Sequence, residues 1–239
     1  MPEAPQTPFI RTVAETGSTN DDVAALARAG AREGLWLRAE RQSGGRGRQG
    51  RGWHSPAGNL YASTIVRLRK GDPSPATLAM VAAVALDEIL RAYGAEPTIK
   101  WPNDLHIGAE KLTGILLERT GDAVVVGIGV NLAHRPEGLD RPVTSLDTLG
   151  LGAPEPDAFL RGLADAFARW LGAWRVGLEP VRRRWLDRAH PVGTALSVRL
   201  PDQAPLDGLF DGLDALGALR LRLPSGEVQV IHAGDVFLI

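Results

Sequence analysis

The chain alternates between segments in which hydrophobic residues follow strand-like spacing and segments in which they follow helix-like spacing, with glycine and proline between them. Apolar residues at every second position, or in short apolar runs, predict strands, whereas a spacing near 3.6 residues predicts amphipathic helices. Residues 42–58 carry six glycines and few apolar side chains, so we expect a loop there. Strands are expected at 9–13, 35–40, 59–68, 98–101, 104–108, 110–119 and 123–132.

Four helices are predicted where a capping residue is followed by apolar positions at helical spacing. A proline at the first helical position supports the second of them, because its missing N–H would have no helical partner there. The helices are expected after an N-cap at Ser18 or Thr19, from Ser74–Pro75 to about Tyr93, after an N-cap at Asp157, and from about Glu179 to Ala189.

The hydrophobic pattern changes at Pro191. The four segments beyond it, TALSVRL, PLDGLFDGL, GALRLRL and EVQVI, alternate and are separated by proline and glycine, which predicts a small antiparallel, SH3-like β-barrel. We therefore expect two domains, at residues 1–190 and 191–239. The predicted fold class is α+β, with a mixed β-sheet that carries helices on one side and a C-terminal β module.

Composition excludes several kinds of chemistry. The absence of cysteine excludes disulfides, cysteine-ligated zinc, iron–sulfur clusters and thiolate catalysis. No apolar run approaches the roughly 18–20 residues needed to cross a bilayer, and no signal peptide opens the chain, so we expect a cytoplasmic protein without a membrane partner. A formal net charge of −1 argues against a polybasic nucleic-acid binder.

Positive charge is nevertheless concentrated in one stretch. Residues 41–71 contain seven arginines or lysines and neither aspartate nor glutamate, which predicts an anionic ligand nearby. Only three of the 27 basic residues are lysines, namely Lys70, Lys100 and Lys111. Because arginine cannot replace a compact ammonium group, each lysine is a candidate for a specific role.

The segment GGRGRQGRGWHSPAGNLYAS, residues 44–63, carries the most informative motif. Glycines between arginines allow backbone N–H groups and guanidinium groups to converge on one anion. The segment lacks the GxxxxGK[ST] of a P-loop, and its GxGxxG spacing precedes a tryptophan and a strand, unlike a dinucleotide fingerprint. On this pattern alone, a flexible or RNA-binding segment is an open alternative.

A second motif is IKWPNDL, residues 99–105, at the end of a short predicted strand. Polar groups at a strand end can project into a site, and Lys100 and Asp104 flank the motif. An ion-paired turn around a buried tryptophan is the structural alternative.

Two predicted strands contain glycines in their interior, which weakens a strand unless something approaches its backbone closely. EKLTGILLE, residues 110–118, places Lys111 at its start and Gly114 inside it. VVGIGVNL, residues 125–132, aligns Gly127, Gly129 and Asn131 on one face. We therefore expect a flat group to lie against that face.

Taken together and in this order, the motifs resemble those of biotin–protein ligases, the biotin–acetyl-CoA-carboxylase ligases of bacteria and archaea. The resemblance also covers GSTN at 17–20 and Gln42, spans about residues 10–133, and continues more loosely through the C-terminal module. It implies a class II synthetase-like, biotin/lipoate-ligase-like fold. It also implies that biotin and ATP, with Mg²⁺, form biotinyl-5′-AMP, from which a lysine of a carrier protein takes the biotinyl group.

The resemblance carries roles to individual residues. Lys111 and Arg48 are implied to be catalytic. Apart from the resemblance, Asp104 is a candidate for binding Mg²⁺ or for assisting proton movement, and an ion pair with Lys100 is the structural alternative. The residues implied to meet the adenosine part are Trp53, Asn103 and Asn131. The residues implied to bind biotin or its adenylate are Ser18, Thr19, Asn20, Gln42, Arg46, Gly47, Arg48, Lys111, Gly114, Gly127 and Gly129.

The implied partner is a biotin carboxyl carrier protein, a subunit of acetyl-CoA carboxylase or of another biotin-dependent carboxylase. No DNA binding is expected, because the chain begins almost where the catalytic domain begins. Residues 110–119 and 123–132 are interpreted as exposed edge strands, which predicts a homodimer. Two alternatives stay open: a lipoate-type acyl-adenylate ligase, and an RNA-binding module with salt-dependent affinity for single strands.

Overall fold

The computed structural model describes residues 8–136, 138, 142–200 and 204–239. Its main sheet consists of β1 (Phe9–Thr16), β2 (Leu35–Gln42), β3 (Leu60–Arg67), β4 (Thr98–Lys100), β5 (Asp104–Ile107), β6 (Glu110–Thr120) and β7 (Ala123–Val130). The strand order is β1-β2-β3-β7-β6-β5-β4. β1 and β2 run parallel and all other neighbours antiparallel, so the predicted mixed sheet is confirmed.

The helices are α1 (Thr19–Arg28), α2 (Leu78–Ala92), α3 (Pro156–Val176) and α4 (Glu179–Leu186). The helices lie on both faces of the sheet, because successive side chains of a strand point to opposite faces. Val125 of β7 packs in the cluster under α1, whereas Val124 and Val126 belong to the main core with α2 and α3. The expectation of helices on one side therefore holds for α2 and α3, while α1 covers the opposite face. No helix within the described ranges combines the length and apolar character needed to cross a bilayer.

Three helix boundaries differ from the sequence prediction. α2 begins at Leu78 and not at Pro75, because Pro75–Thr77 form a 3-10 turn before it. Asp157 does not cap α3, because the helix already begins at Pro156, whose fixed φ suits the first helical position. The Asp157 carboxylate instead accepts a hydrogen bond from Arg38 Nε of β2 at 2.6 Å. α4 ends at Leu186, since the backbone after it accepts a hydrogen bond from Ile99 of β4.

The C-terminal module is a second antiparallel sheet, formed by β8 (Ala195–Arg199), β9 (Leu206–Leu213), β10 (Leu219–Arg222), β11 (Val228–Ile231) and β12 (Asp235–Leu238). Its order is β11-β10-β9-β8-β12, which confirms the predicted β module. β12 was not predicted. It has four residues, and it becomes a strand by pairing with β8, far from it in sequence.

The two strands expected to form exposed edges lie inside the sheet. β7 pairs with β3 on one side and β6 on the other along its whole length, so the edge prediction is wrong for β7. β6 pairs with β5 only over Glu110–Gly114. The backbone of Ile115 is still bonded to Asn103 on that side. Among the described strands nothing pairs with that side of β6 from residue 116 to 120, so the edge prediction holds there alone.

The C-terminal module packs beside the β4–β5 hairpin. Trp101 of the hairpin donates a hydrogen bond from Nε1 to the Gly217 carbonyl oxygen at 3.2 Å. The segment from residue 43 to 59 that joins β2 to β3, here called the glycine–arginine loop, makes a further contact. Its Arg51 forms a 2.6 Å ion pair with Asp235 of β12. The loop and β12 therefore meet at the junction of the two modules.

Candidate active site

A cavity of about 320 Å³ lies on the face of the main sheet that α1 covers, at the N-terminal end of α1. β6 and β7 form its floor, the glycine–arginine loop and the β4–β5 hairpin form its sides, and β12 closes one end. Both modules therefore contribute to one cavity. The sequence-predicted residues that line it are Ser18, Thr19, Asn20, Gln42, Arg46, Gly47, Arg48, Trp53, Asn103, Asp104, Lys111, Gly114, Gly127 and Gly129.

The glycines of the floor make room for side chains of the chain itself. Gly114 and Gly129 lie opposite each other in the β6–β7 register. A Cβ atom on Gly129 would lie 2.6 Å from the Trp53 indole, and one on Gly114 would lie 2.9 Å from it. The flat group expected against these strands is therefore the indole of Trp53. Gly127 makes room for Asn20 in the same way, since a Cβ there would collide with Asn20 Oδ1.

Neutral polar groups meet at one end of the cavity, where α1 begins and β2 ends. The backbone N–H and the hydroxyl of Thr19 both donate to Gln42 Oε1, at 2.9 and 3.1 Å. Gln42 Nε2 donates to Ser55 Oγ at 3.1 Å. Ser18 occupies the N-cap position of α1 and its side chain makes no capping hydrogen bond. The structure thus gathers the hydroxyl and amide side chains that the sequence singled out.

The two cavity arginines of the loop have different partners. Arg46 forms a bidentate pair with Asp21 of α1, at 2.7 and 2.6 Å, and these hydrogen bonds lower the pKa of Asp21. Arg48 donates to Asn103 Oδ1 at 3.2 Å. One guanidinium therefore faces α1 and the other faces the β4–β5 hairpin, with the cavity between them.

Lys111 is the buried cation of the cavity. Its Nζ donates to Asp104 Oδ1 at 2.6 Å and lies 5.5 Å from the centre of the Trp53 ring. Burial alone would raise the pKa of Asp104, but the Lys111 ammonium and nearby His106 hold the pKa of that carboxyl well below its ordinary value. The pair therefore fixes a point of positive charge beside the indole.

Two of the three residues predicted to meet adenosine lie at the cavity. Trp53 and Asn103 line it, whereas Asn131 does not. Asn131 is buried, its Nδ2 donates to the Thr144 carbonyl oxygen at 3.0 Å, and its backbone N–H donates to Leu112. Because its amide already serves the backbone of a neighbouring segment, the adenosine role of Asn131 stays a prediction without support from the geometry.

The cavity does not offer a cage for a metal ion. Within the described residues, no three side chains of histidine, aspartate or glutamate come together as a metal site would require. The candidate ligand Asp104 is engaged by Lys111, and Lys100 faces it in the β4–β5 register. These residues therefore do not fit a protein-held Mg²⁺.

Sequence reasoning missed part of the lining. Leu116 could have been found by strand alternation, because it lies two residues from Gly114, whereas Tyr61 reaches the cavity through its pairing with Gly129 in the β3–β7 register. The β12 residues carry no comparable signal, since only the docking of the second module brings them to the cavity. The lining residues that were missed include Tyr61, Trp101, His106, Leu116, Asp235, Val236, Phe237 and Leu238.

Comparisons with known proteins agree with this geometry. Residues 17–132 match the model of the biotin/lipoate A/B protein ligase family, and residues 197–239 match that of the biotin protein ligase C-terminal domain. A biotin–[acetyl-CoA-carboxylase] ligase of Paracoccus denitrificans is 42% identical over 240 residues, which cover 94% of this chain and 98% of that protein. One from Mycobacterium tuberculosis is 36% identical over 235 residues, covering 95% and 88%.

A solved structure shares the fold. The biotin protein ligase from Aquifex aeolicus in complex with biotin and ATP superposes with a TM-score of 0.87 at 23% identity, covering 97% of this chain and 99% of that one. At this identity the likeness bears on the fold alone. The match to relatives over nearly their whole length is the stronger finding. On that finding, the chain belongs to the biotin/lipoate A/B protein ligase family.

Proposed function

We propose that this chain is a biotin–protein ligase, which activates biotin with ATP as biotinyl-5′-AMP and transfers the biotinyl group to one lysine of a carrier protein. The observation that carries the proposal is a single cavity in which neutral amides and hydroxyls adjoin Arg48 and Lys111. Neutral donors and acceptors suit a urea ring, and cations suit a carboxylate next to a polyphosphate. The relatives named for biotin and the fold neighbour bound to biotin and ATP support the same substrates.

In the first step, a carboxylate oxygen of biotin attacks the α-phosphorus of ATP. The new O–P bond forms while the bond to pyrophosphate breaks. Because two anions must approach within bonding distance, their repulsion has to be compensated. Arg48 and the buried ammonium of Lys111 supply that compensation, and a compact ammonium can contact a carboxylate oxygen and a phosphate oxygen together.

In the second step, the neutral amine of the carrier lysine attacks the acyl carbon of the adenylate. A C–N bond forms, the bond between the acyl carbon and AMP breaks, and the amine loses a proton to solvent. The mixed anhydride also reacts with water, so its lifetime depends on how well water is excluded. Trp53 and the glycine–arginine loop lie over the floor of the cavity and serve this purpose.

The remaining roles follow the same division of the cavity. The polar end binds the ureido ring, and the loop binds the acyl-phosphate. The proposed biotin-binding residues are Ser18, Thr19, Asn20 and Gln42, and Gly114, Gly127 and Gly129 contribute by leaving room for Trp53 and Asn20 on the floor. Arg46 and Gly47 hold the adenylate, and Trp53 and Asn103 meet the adenosine.

In this proposal, Mg²⁺ is bound to the polyphosphate of ATP. Mg²⁺ usually keeps several waters and binds through one or two carboxylates together with substrate phosphates. The described residues gather no carboxylate cluster, and Asp104 is paired with Lys111. We therefore assign no step to a metal ion held by the protein.

The proposed partner is a biotin carboxyl carrier protein of a biotin-dependent carboxylase, and the proposed location is the cytoplasm, where ATP and the carrier are available. We also propose a homodimer. Its support in the structure is the part of β6 from residue 116 to 120, which pairs on one side only among the described strands.

The test is the mass of a biotin carboxyl carrier domain incubated with this chain, biotin and MgATP. We expect the gain of one biotinyl group, and no gain when the acceptor lysine of the carrier is replaced by arginine. Replacing biotin by lipoate distinguishes a biotin ligase from the alternative, a lipoate-type acyl-adenylate ligase. A carrier that stays unmodified with biotin, or that gains a lipoyl group instead, would contradict the proposal.

A further inference from the structure

Two residues that do not line the cavity are bonded to residues that do. Ser63 of β3 is fully buried and lies opposite Gly127 in the β3–β7 register, beneath the polar end. Its Oγ lies 2.6 Å from Asn20 Oδ1 and 2.7 Å from Thr19 Oγ1. Glu118 of β6 accepts a hydrogen bond from Asn20 Nδ2 at 2.6 Å. The polar end therefore rests on a second layer of hydrogen bonds.

The donors and acceptors in this layer have a fixed direction. One end is held by a group that only accepts hydrogen bonds, and the other end by a group that only donates them. A carboxylate only accepts, so Glu118 fixes the amino group of Asn20 toward itself and Oδ1 toward Ser63. A backbone N–H only donates, so Thr19 fixes Oε1 of Gln42 toward itself and Nε2 toward the loop. Neither amide can exchange its oxygen and nitrogen without losing a bond.

The direction of these hydrogen bonds decides which donors and acceptors of the polar end remain for a ligand. An amide NH₂ has two N–H groups, and the described contacts use one on Asn20 and one on Gln42. The Thr19 hydroxyl gives its proton to Gln42 and accepts from Ser63, whose one proton is shared with Asn20 Oδ1, so one lone pair of the Thr19 oxygen is left as an acceptor. The polar end thus offers N–H donors beside an acceptor oxygen. That array complements a carbonyl oxygen next to an N–H, as in a cyclic urea.

We propose that Ser63 and Glu118 are positioning residues that set this donor–acceptor polarity, and with it the selectivity of the site for a urea carbonyl. The proposal rests on the proposed function, because it assumes that biotin binds at the polar end. Without Ser63 or Glu118, the amide of Asn20 can turn its oxygen toward the ligand. A ligand that presents donors in place of the carbonyl oxygen is then less strongly rejected.

The test compares biotin with 2-iminobiotin, in which a guanidino group replaces the urea, in pyrophosphate-release assays. For Ser63→Ala we expect the KM for biotin to rise roughly tenfold, with kcat and the KM for ATP within about twofold of wild type. The preference for biotin over 2-iminobiotin in kcat/KM should fall by roughly tenfold as well. A purely structural role would not move that preference.

Thr64→Val is the matched control. Thr64 is buried on the same strand, but its hydroxyl donates to the Leu35 carbonyl oxygen on the other side, at 2.8 Å. We expect it to change the free energy of unfolding as much as Ser63→Ala does, and to leave the biotin preference unchanged. Equal KM and equal preference in the two variants would overturn the role of Ser63.

Glu118 supplies a second pair of variants that does not depend on a core substitution, because its side chain is 39% exposed. Glu118→Gln keeps an oxygen that can accept from Asn20 and should retain the biotin preference, whereas Glu118→Leu should lose it. If the two behave alike, the inference fails even if Ser63→Ala does not fold. If wild-type protein releases no pyrophosphate with biotin, the proposed function fails instead.

Discussion

The buried Lys111, which is paired with the Asp104 carboxylate, is the residue whose proposed role can be tested most directly. Lys111→Ala removes the ammonium that would bridge the carboxylate and the phosphate, so we expect adenylate formation to fall by at least about 100-fold. The fold should persist, with a free energy of unfolding lower by about 1–2 kcal/mol because Asp104 loses its partner. Biotin-dependent pyrophosphate release and urea unfolding measure the two effects.

Lys70→Ala is the control, because Lys70 is exposed in the turn after β3, at the end of the strand away from the cavity. It should behave as wild type in both measurements. Pyrophosphate release near the wild-type rate in Lys111→Ala would contradict the catalytic role.

The same residues show what a sequence can reveal about a site. Lys111 stands out because lysine is rare in this chain, and Gln42 because it precedes the glycine-rich loop. Ser63 and Glu118 give no comparable signal. The hydrogen-bond partners of Ser63 are more than 40 residues away, and Asn20 lies 98 residues from Glu118. A serine inside a strand and a glutamate near a strand end look ordinary until the sheet brings them under α1.

At the scale of elements, the glycines of β6 and β7 are predicted to be intolerant of a side chain. Gly129→Ala would place a Cβ 2.6 Å from the Trp53 indole and displace the loop that carries it. We expect kcat/KM for biotin to fall by at least about tenfold, and the free energy of unfolding to fall by about 1–3 kcal/mol from overpacking. Pyrophosphate release and urea unfolding are again the measurements.

Gly172→Ala of α3 is the matched control, since a Cβ there meets nothing within 4 Å. Alanine in a helix interior should raise the free energy of unfolding by about 0.5–1 kcal/mol and leave activity unchanged. A Gly129→Ala protein with wild-type activity would show that Trp53 need not rest on the floor.

Local patterns predicted most elements, because spacing and caps act within a few residues. The strands from β1 to β7 and the start of α1 follow from alternation and capping. The failures have non-local causes. Asp157 is of a residue type that commonly caps helices, yet its carboxylate accepts a hydrogen bond from Arg38 of β2. β12 is too short to show a pattern, and α1 occupies its own face because β7 is apolar on both sides.

At the scale of the whole molecule, the two modules act as one unit around the cavity. Arg51 pairs with Asp235, and Arg48 donates to the Gly234 carbonyl oxygen at 3.2 Å. The loop proposed to cover the adenylate is therefore attached to β12 as well as to the main sheet. The position of the C-terminal module should influence how the loop closes.

The main sheet also governs assembly. The two strands first expected to pair between copies are largely covered, which leaves the part of β6 from residue 116 to 120 with backbone groups unpaired on one side among the described strands. A two-fold axis could pair this segment with its copy, but five residues bury little area, so α1 beside it must join a stable interface of more than about 1,000 Å². We therefore expect a reversible dimer, whose fraction rises with protein concentration. Light scattering over a micromolar dilution series, with and without biotin and ATP, should approach twice the 25.5 kDa monomer mass, and a mass that stays at 25.5 kDa in both conditions would contradict dimerisation.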